Sequence, residues 1–264
     1  MAKGNQKTKA VEPRSNTPLL IIGGVLVLAA LGGWWFYSSS KGTARPANTN
    51  RAANAANAAK TSQIPPNAPA GAQPPNSAGS PTASVTLEEF ADFQCGSCAA
   101  AHPIMNEIKS SYGSRIRFVF RNYPLSIPAH DKAYDAAVAA EAAGMQGKFW
   151  DMQNLLFTNQ QTWTASPSYK GTWKEYASKI GLDIAKWETD MAGIAARSRV
   201  DSDVARGKAL GVSSTPTLYI NGMALPFTEM KVQSIKSIID GELQKAASAS
   251  APAPANPPAN TENK

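Results

Sequence analysis

The 264-residue chain contains only two cysteines and two histidines. A scaffold held by several disulfides is therefore excluded, and a four-cysteine zinc site cannot be completed. The sequence also lacks a phosphate-binding glycine loop and a Ser-His-Asp arrangement. Both cysteines fall in one motif, Cys95-Gly96-Ser97-Cys98. All sulfur chemistry is thus concentrated in four residues.

Residues 38–83 lack acidic side chains and, apart from Ile64, lack large aliphatic ones. A segment built from Ala, Asn, Pro, Ser, Thr, Gly and Gln has too little apolar surface to form a core. Its composition predicts a disordered linker over 38–83. The Ala-Pro-rich residues 247–264 similarly predict a disordered tail.

Charged residues are missing from 19–37, an apolar run long enough to span a bilayer. The run ends in Trp34-Trp35-Phe36-Tyr37, which is typical of a membrane interface, and it is longer than the apolar core of a secretory signal. We expect a transmembrane signal anchor over 19–37, with a cleaved signal as the alternative.

The orientation of this anchor is not decided by the basic residues, which flank the run on both sides. The size of the C-terminal part and its dithiol decide it, because disulfide exchange on client proteins is most useful on the oxidising side of a membrane. Residues 1–18 are expected in the cytoplasm. The localisation expected is the bacterial inner membrane, single-pass, with the C-terminal part on the periplasmic or extracytoplasmic side.

The net charge of +7 comes from the N-terminal 83 residues, because basic and acidic side chains balance within 84–246. A neutral domain offers no electrostatic footprint for a polyanion. Nucleic-acid binding is therefore not expected. Anionic lipid headgroups are the more suitable partners for the basic residues beside the apolar run.

Residues 84–246 predict one α/β domain. A strand pattern over 84–93, a helix from Cys95 that meets Pro103, and a strand over 115–121 give a β-α-β order. A helical block follows over about 126–210. Two strands then flank Asn221-Gly222, the strongest short signal for a β-hairpin, and a closing helix begins behind Thr228.

The Cys95-Cys98 motif lies where the first strand pattern changes to a helical one. A thiol at a helix N-terminus is stabilised as thiolate, the species that attacks disulfides. A purely structural disulfide is the alternative, but closing so short a loop removes little entropy from the unfolded chain. The motif therefore favours redox chemistry.

The chain resembles the DsbA-like thiol:disulfide interchange proteins of the thioredoxin superfamily over residues 84–245. The resemblance rests on four segments: Phe90–Cys98, Phe120–Leu125, Ala139–Trp150 and Gly211–Gly222. It implies a thioredoxin-like fold with a helical insertion, Cys95 as the exposed nucleophile and Cys98 as the buried resolving thiol. It also implies a cis peptide between Thr215 and Pro216, beside the dithiol in the substrate-binding region, and no cofactor. The partners implied are client thiols or disulfides and a quinone-linked membrane protein that reoxidises the dithiol.

Glu89 is the candidate proton carrier. It precedes Cys95 by six residues, where family members commonly have a buried acid, and strand alternation places it on the same face as Leu87 and Ala91. A carboxyl among apolar neighbours would have a raised pKa and could accept the Cys98 proton. Glu88 is the adjacent candidate, and a solvated charge is the alternative for both. Asp92 is expected to face solvent or anchor a loop.

The direction of electron flow is open in the sequence, because Ser97 occupies the position where strong oxidants often have histidine. An oxidase is favoured over a reductase, with a potential between about −120 and about −270 mV. Isomerases of the superfamily usually dimerise through a folded N-terminal domain, whereas a linker precedes this one, so an isomerase is disfavoured. A monomer is expected. A second hypothesis is a membrane-tethered copper or zinc module using Cys95, Cys98 and His102.

Overall fold

The computed structural model describes residues 64–250. The predicted cytoplasmic segment 1–18, the predicted anchor 19–37 and part of the predicted linker and tail lie outside the described residues. Within residues 64–250, none of the helices combines the length and apolar character needed to cross a bilayer.

A mixed sheet of five strands forms the centre of the described domain, in the order β1-β3-β2-β4-β5. Strands β2 and β3 are parallel, and every other neighbouring pair is antiparallel. The strands are β1 Asn76–Gly79, β2 Val85–Ala91, β3 Ile116–Asn122, β4 Thr217–Ile220 and β5 Met223–Leu225. The central strand β2 leads directly to the cysteine motif.

The helices fall into three groups along the chain. One helix connects β2 to β3, as parallel strands require a crossover; a series of helices between β3 and β4 forms the helical insertion; and a last helix follows β5. They are α1 Gly96–Tyr112; α2 Ala133–Gly144, α3 Phe149–Thr158, α4 Gln160–Ala165, α5 Tyr169–Lys179, α6 Ile184–Ala192 and α7 Ile194–Ala209; and α8 Val232–Ser250. The thioredoxin-like α/β fold with a helical insertion is thereby confirmed.

The two faces of the sheet carry different side chains. Leu87 and Ala91 of β2 belong to the main hydrophobic core with α1, α8 and the insertion, which buries the large side chains of Trp163, Trp173 and Trp187. Phe90 points to the opposite face, where it contacts the rings of Tyr123 and Tyr219 edge-on. The alternation along β2 thus divides the domain into two layers, one on each side of the sheet.

The predicted hairpin between β4 and β5 is confirmed. Asn221 and Gly222 both have positive φ, at 47° and 80°. Positive φ at both central residues is the type I′ geometry that matches the twist of two antiparallel strands.

Pro103 does not end the first helix, contrary to the sequence-based expectation. Helix α1 continues through Pro103 to Tyr112 and buries Met105 and Ile108 against the sheet. Proline removes one backbone hydrogen bond, but the buried apolar side chains beyond it hold the helix in place. The closing helix also differs from expectation, because it begins at Val232 rather than behind Thr228.

The predicted linker and tail are both too long. Residues 64–83 are part of the folded domain: β1 pairs antiparallel with the outer edge of β3, with Asn76 opposite Phe120. Helix α8 likewise continues to Ser250, so residues 247–250 are helical. Residues 64–83, which the sequence analysis assigned to the linker, thus contribute to the described fold, and the domain begins before residue 84.

Three arginines hold the segment before β1, which we call the N-terminal strap (residues 64–76). Arg121 donates to the carbonyls of Ala70 and Ala72, and Arg206 donates to that of Pro69. Further along, Arg199 donates to the carbonyls of Gln73 and Pro74. The acceptors are main-chain oxygens, and Ile64 and Ala68 of the strap also pack against the cluster of Phe90 and Tyr123.

Buried acids keep these arginines in place. Glu88 receives hydrogen bonds from both Arg121 and Arg206, at 2.7 Å each, and Asp203 lies 3.0 Å from Arg121. Asp203 also accepts from the backbone N–H of Ala72. The strap and this ionic network therefore form a single layer on the Phe90 side of the sheet.

Helix α7 lies very close to this side of the sheet because of a glycine. A Cβ atom on Gly207 would lie 2.4 Å from the ring of Tyr123 and 3.1 Å from that of Phe90. Distances that short would force the helix away from the sheet. Gly207 thus allows Asp203 and Arg206, on the same helix, to reach the ionic network.

Candidate active site

The two cysteines lie at the start of α1, just beyond the end of β2. Cys95 is the N-cap residue, with an extended backbone, and its carbonyl accepts the N–H groups of Cys98 and Ala99 at 3.1 Å. The Cys95 side chain makes no capping hydrogen bond, but the backbone N–H groups of Ser97 and Cys98 in the first turn favour its ionised form. The predicted strand-to-helix junction is therefore present.

The thiols are in different environments. Both are free, Cys95 is half-buried and Cys98 is fully buried. The hydrogen bond from the Cys98 thiol has the largest influence on Cys95, and with the N–H groups of Cys98 and Ser97 it lowers the pKa of Cys95 to about 5. Burial, followed by the hydrogen bond and charge of Cys95, raises the pKa of Cys98 far above its usual range. Near neutral pH, Cys95 is thus the thiolate and Cys98 the thiol.

The loop before β4 faces this pair. The Thr215-Pro216 peptide is cis, as the resemblance implied. The carbonyl oxygen of Thr215 lies 3.3 Å from the Cys95 sulfur, although the two residues are 120 positions apart in sequence. The structure therefore brings the predicted Thr215 and Pro216 together with the dithiol.

Glu89 is buried on the side of the sheet that packs against α1. Only 2% of its surface is exposed, and its neighbours in the register are Phe120 of β3 and Leu218 of β4. Burial raises the pKa of Glu89 to about 7, and the charge of Lys109 partly offsets that rise. The position thus has the electrostatic property expected of a proton carrier.

Glu88 is also buried, but on the opposite face and in a different setting. Burial opposes its ionisation, yet the hydrogen bonds and charges of Arg206 and Arg121 outweigh burial and lower the pKa of Glu88. A carboxylate paired with two arginines remains charged and cannot exchange protons near neutral pH. Of the two adjacent candidates, the geometry favours Glu89. The solvated alternative is wrong for both.

Lys109 of α1 is the cation that acts on Glu89. Its ammonium lies 4.5 Å from the ring centroid of Trp150 and 5.2 Å from that of Phe118. Burial lowers the pKa of Lys109, and the charge of Glu89 opposes that change. The sequence analysis did not single out this lysine. Its position on a helix, twenty residues after Glu89, gives no sign that the two charges interact.

Asp92 anchors a loop and does not face solvent. Its carboxylate is buried and accepts the backbone N–H groups of Gln94 at 2.7 Å and Leu125 at 2.9 Å, and it pairs with His130 at 2.6 Å. Its own backbone N–H is directed at the Cys98 sulfur, at 3.5 Å. Asp92 therefore connects the cysteine motif to the loop that follows β3.

Two glutamines that the sequence analysis did not identify hold the backbone beside the nucleophile. Gln94 accepts from the N–H of Lys132 and donates to the carbonyl of Ala129. Gln160, at the start of α4, donates to the carbonyls of Phe93 at 2.7 Å and Cys95 at 2.9 Å. A glutamine in a polar stretch of a helical segment has no distinguishing pattern, so no sequence signal could have found it.

The geometry does not support the metal-site hypothesis. The Nε2 atom of His102 lies 3.0 Å from Asn154 and 3.1 Å from Asn106, and its ring packs against Phe157. Within residues 64–250, no three His, Cys, Asp or Glu side chains are grouped so that they could hold a metal ion. His102 is instead a packed residue in the wall of the core.

The class of protein follows from this fold and this site together. A family model described as Thioredoxin matches residues 72–241, so the chain belongs to the thioredoxin family. Its matched region includes part of the N-terminal strap, in agreement with the boundary found in the structure.

Solved structures share the fold. BdbD from Bacillus subtilis, in its oxidised form, is 22% identical, with a TM-score of 0.58 over 67% of this chain and 98% of that one. The thiol-disulfide exchange protein α-DsbA2 from Wolbachia pipientis is 18% identical, with a TM-score of 0.54 over 64% of this chain and 87% of that one. At such identities the similarity defines a DsbA-like fold.

The relatives found by sequence similarity are named as Na⁺/H⁺ antiporters. A segment of the Na⁺/H⁺ antiporter NhaA 1 of Mycolicibacterium gilvum is 36% identical over 146 residues, which cover 54% of this chain and 23% of that protein. NhaA of Herminiimonas arsenicoxydans is 33% identical over 147 residues, or 22% of its length. The chain thus spans less than a quarter of the relatives it matches.

Proposed function

We propose that the chain is a thiol:disulfide oxidoreductase of the DsbA type, which exchanges disulfides with client proteins through Cys95 and Cys98. The observation that carries the proposal is the asymmetry of the two thiols. An exposed, readily ionised sulfur lies beside a buried one that stays protonated. This is the division of labour that dithiol exchange requires.

Exchange in the oxidising direction begins with the Cys95-Cys98 disulfide. A client thiolate attacks the sulfur of Cys95, the Cys95-Cys98 bond breaks, and its electron pair leaves on Cys98. The second client thiolate then attacks the client sulfur of the mixed disulfide and releases Cys95 as thiolate. The client loses two electrons and the dithiol gains them.

Glu89 is proposed to supply the proton that Cys98 needs when it leaves and to accept it again on reoxidation. A carboxyl whose pKa is near 7 can do both near neutral pH. Glu88 cannot, because its two arginines keep it ionised. Thr215 and Pro216 are proposed to contact the client backbone beside the mixed disulfide.

The low pKa of Cys95 supports the oxidase direction. A thiolate that is stabilised in the reduced protein makes the disulfide a better oxidant, by about 1.4 kcal/mol or about 30 mV per unit of pKa. We expect a potential between about −120 and about −270 mV, because Ser97 supplies a hydroxyl but no positive charge. A value at or below the lower limit would favour the alternative, a membrane-tethered reductase.

An apolar groove beside the nucleophile suits an unfolded client. Its volume is about 540 Å³, and it lies between Ala100 and Ile104 of α1 on one side and Phe227 and Met230 on the other. Phe227 on this groove is 64% exposed. Extended polypeptides with apolar side chains are therefore the proposed substrates.

The setting proposed is the extracytoplasmic side of the bacterial inner membrane. This part rests on the apolar run 19–37, and the antiporter names of the relatives agree with work at a membrane. A membrane-bound quinone-linked protein is the proposed oxidant that returns the dithiol to its disulfide. The chain is proposed to act as a monomer.

The nucleophile assignment is tested by trapping clients. Cys98→Ser should accumulate mixed disulfides through Cys95, because the resolving thiol is gone, while Cys95→Ser should form none. Mass spectrometry of the trapped species identifies the sulfur involved. Equal loss of exchange in both variants without any trapped client would reject the assignment. The equilibrium constant with glutathione then gives the potential and decides between oxidase and reductase.

A further inference from the structure

Gln160 makes an unusual pair of contacts with the redox motif. Its side chain is 91% buried, since only 9% of the residue is exposed, and it crosses from the helical insertion to the start of α1. Each of the two hydrogens of a carboxamide can serve one acceptor, and here one serves the carbonyl of Phe93 and the other that of Cys95. Both amide hydrogens of Gln160 therefore donate to carbonyls of the residues around the nucleophile.

These contacts fix the one stretch of main chain that precedes the reactive sulfur. The backbone N–H of Gln94, between the two carbonyls, is held by the buried carboxylate of Asp92. The carbonyl of Cys95 also accepts the N–H groups of Cys98 and Ala99. The peptide units Phe93-Gln94 and Cys95-Gly96 are therefore held from the insertion, and the first of them is also held from the end of β2.

We propose that Gln160 is a positioning residue of the redox centre, which holds the Phe93 and Cys95 carbonyls away from the sulfur and thereby keeps the helix N–H groups directed at the Cys95 thiolate. The proposal deepens the proposed function and rests on it. The helical insertion, which contains neither cysteine, would then help to set the ionisation of Cys95.

The electrostatic reason is the position of the Cys95 carbonyl. It is the negative end of the peptide dipole of the nucleophile's own residue, so any rotation toward a sulfur that becomes negative disfavours the thiolate. Without Gln160 the Cys95 carbonyl would keep the N–H groups of Cys98 and Ala99, but it and the buried Phe93 carbonyl would lose the donor that restrains them from the insertion. The reduced protein, which carries the charge, should suffer more from that change than the uncharged disulfide form.

The test is the titration of Cys95 in the full-length reduced chain. The rate of alkylation by iodoacetamide, measured as a function of pH, gives the pKa of Cys95. Gln160→Met preserves the length of the side chain and removes the donor. We expect the acid dissociation constant of Cys95 to fall about 3- to 10-fold, the range of one hydrogen bond. The equilibrium with glutathione should shift toward the disulfide form by the same factor. Gln161→Met, at the exposed neighbouring position, is the matched control and should change neither quantity.

A merely structural role predicts something else. Thermal unfolding of the reduced and oxidised forms separates the two, because loss of packing lowers both melting temperatures equally, whereas loss of thiolate positioning lowers that of the reduced form more. A folded Gln160→Met with an unchanged Cys95 titration, or with equal losses in both forms, overturns the proposal. If Gln160→Met does not fold, Gln160→Leu, which is uncharged and also lacks the donor, decides by the same measurements.

Failure of the proposed function would look different. Iodoacetamide is not a client, so the Cys95 titration can be measured whether or not the chain exchanges disulfides with proteins. Absence of exchange in the wild type would reject the oxidoreductase function. The effect of Gln160→Met on the pKa of Cys95 could still be measured with iodoacetamide.

Discussion

Glu88 and Glu89 are neighbours on one strand, yet they lie in opposite layers of the domain and behave differently. Glu88 points to the layer of the N-terminal strap, where two arginines lower its pKa. Glu89 points to the layer of α1, where burial raises its pKa to about 7 with only Lys109 as a compensating charge. In the layer of the strap Glu88 is paired with two arginines and stays ionised, whereas in the layer that carries the proposed chemistry Glu89 can titrate near neutral pH.

The sharpest way to break this comparison is to remove the strap. A chain that starts at residue 64 should have the same urea midpoint as the full-length chain. One that starts at residue 84 should lose most of a domain's stability, on the order of 5–15 kcal/mol, because Arg121 and Arg206 lose their carbonyl acceptors and β3 loses β1. Urea unfolding measures the difference, and equal midpoints for the two chains would show that the strap is dispensable.

Glu88→Gln should produce the next largest effect. It removes the carboxylate shared by the buried guanidinium of Arg121, which keeps only Asp203, and the partly buried guanidinium of Arg206, and breaking such a buried ion pair typically costs about 3–5 kcal/mol of unfolding free energy. The matched control is Glu107→Gln, which breaks an exposed pair with Lys236 and should cost less than about 1 kcal/mol. Similar losses in the two variants, measured by urea unfolding, would contradict the distinction between the layers.

Glu89→Gln should act in the opposite direction and only at higher pH. The folded protein holds its Glu89 proton up to a pH of about 7, whereas the unfolded chain releases it near the ordinary value of 4.5. The folded state therefore binds more protons between these values, and stability falls as the pH rises through them. At pH 8 the glutamine variant should be more stable than the wild type by up to about 3 kcal/mol.

The control for this prediction is the same measurement below pH 4.5, where the advantage of Glu89→Gln should disappear because both states of the wild type are protonated. Urea unfolding of the reduced proteins at both pH values suffices. A variant that is less stable than the wild type at pH 8 would mean that Glu89 makes favourable contacts as a carboxylate.

The smallest effect is expected from Lys109→Met, which sharpens the comparison by removing the one cation that acts on Glu89. The midpoint of the Glu89 titration should move above 7, since burial would then act without compensation. Loss of the contacts with Phe118 and Trp150 should cost less than about 1 kcal/mol. NMR titration of the Glu89 carboxyl carbon measures the first effect, and an unchanged midpoint would show that the two charges are not coupled.

The parts of the fold that could be predicted from the sequence are those specified by neighbouring residues. Asn221-Gly222 favours a type I′ turn by its own backbone preferences, and the alternation of charged and apolar residues over Arg115–Arg121 specifies a strand without reference to distant residues. The N-terminal strap could not be predicted in this way. Its acceptors are main-chain carbonyls, which every residue has, and its donors are three arginines far along the chain.

The residues of the candidate site also fall into those that the local sequence identifies and those that it does not. Cys95, Cys98 and Glu89 could be identified because the motif and the strand pattern are local, and Thr215 and Pro216 through the resemblance. Gln160, Lys109 and His130 could not be found, since each reaches the motif from another element. Asp92 was correctly considered as a loop anchor, but its burial depends on a loop more than thirty residues away.

Strand β1 also has a consequence for how the chain avoids association with other copies. A sheet has two outer edges, and an uncovered edge is a template for pairing with another molecule. Here β5 forms one edge, is only three residues long and is followed by Pro226, while β1 covers the long edge of β3. Because β1 precedes β3 in the chain, its cover is already synthesised when β3 emerges, and that edge need never wait for a partner.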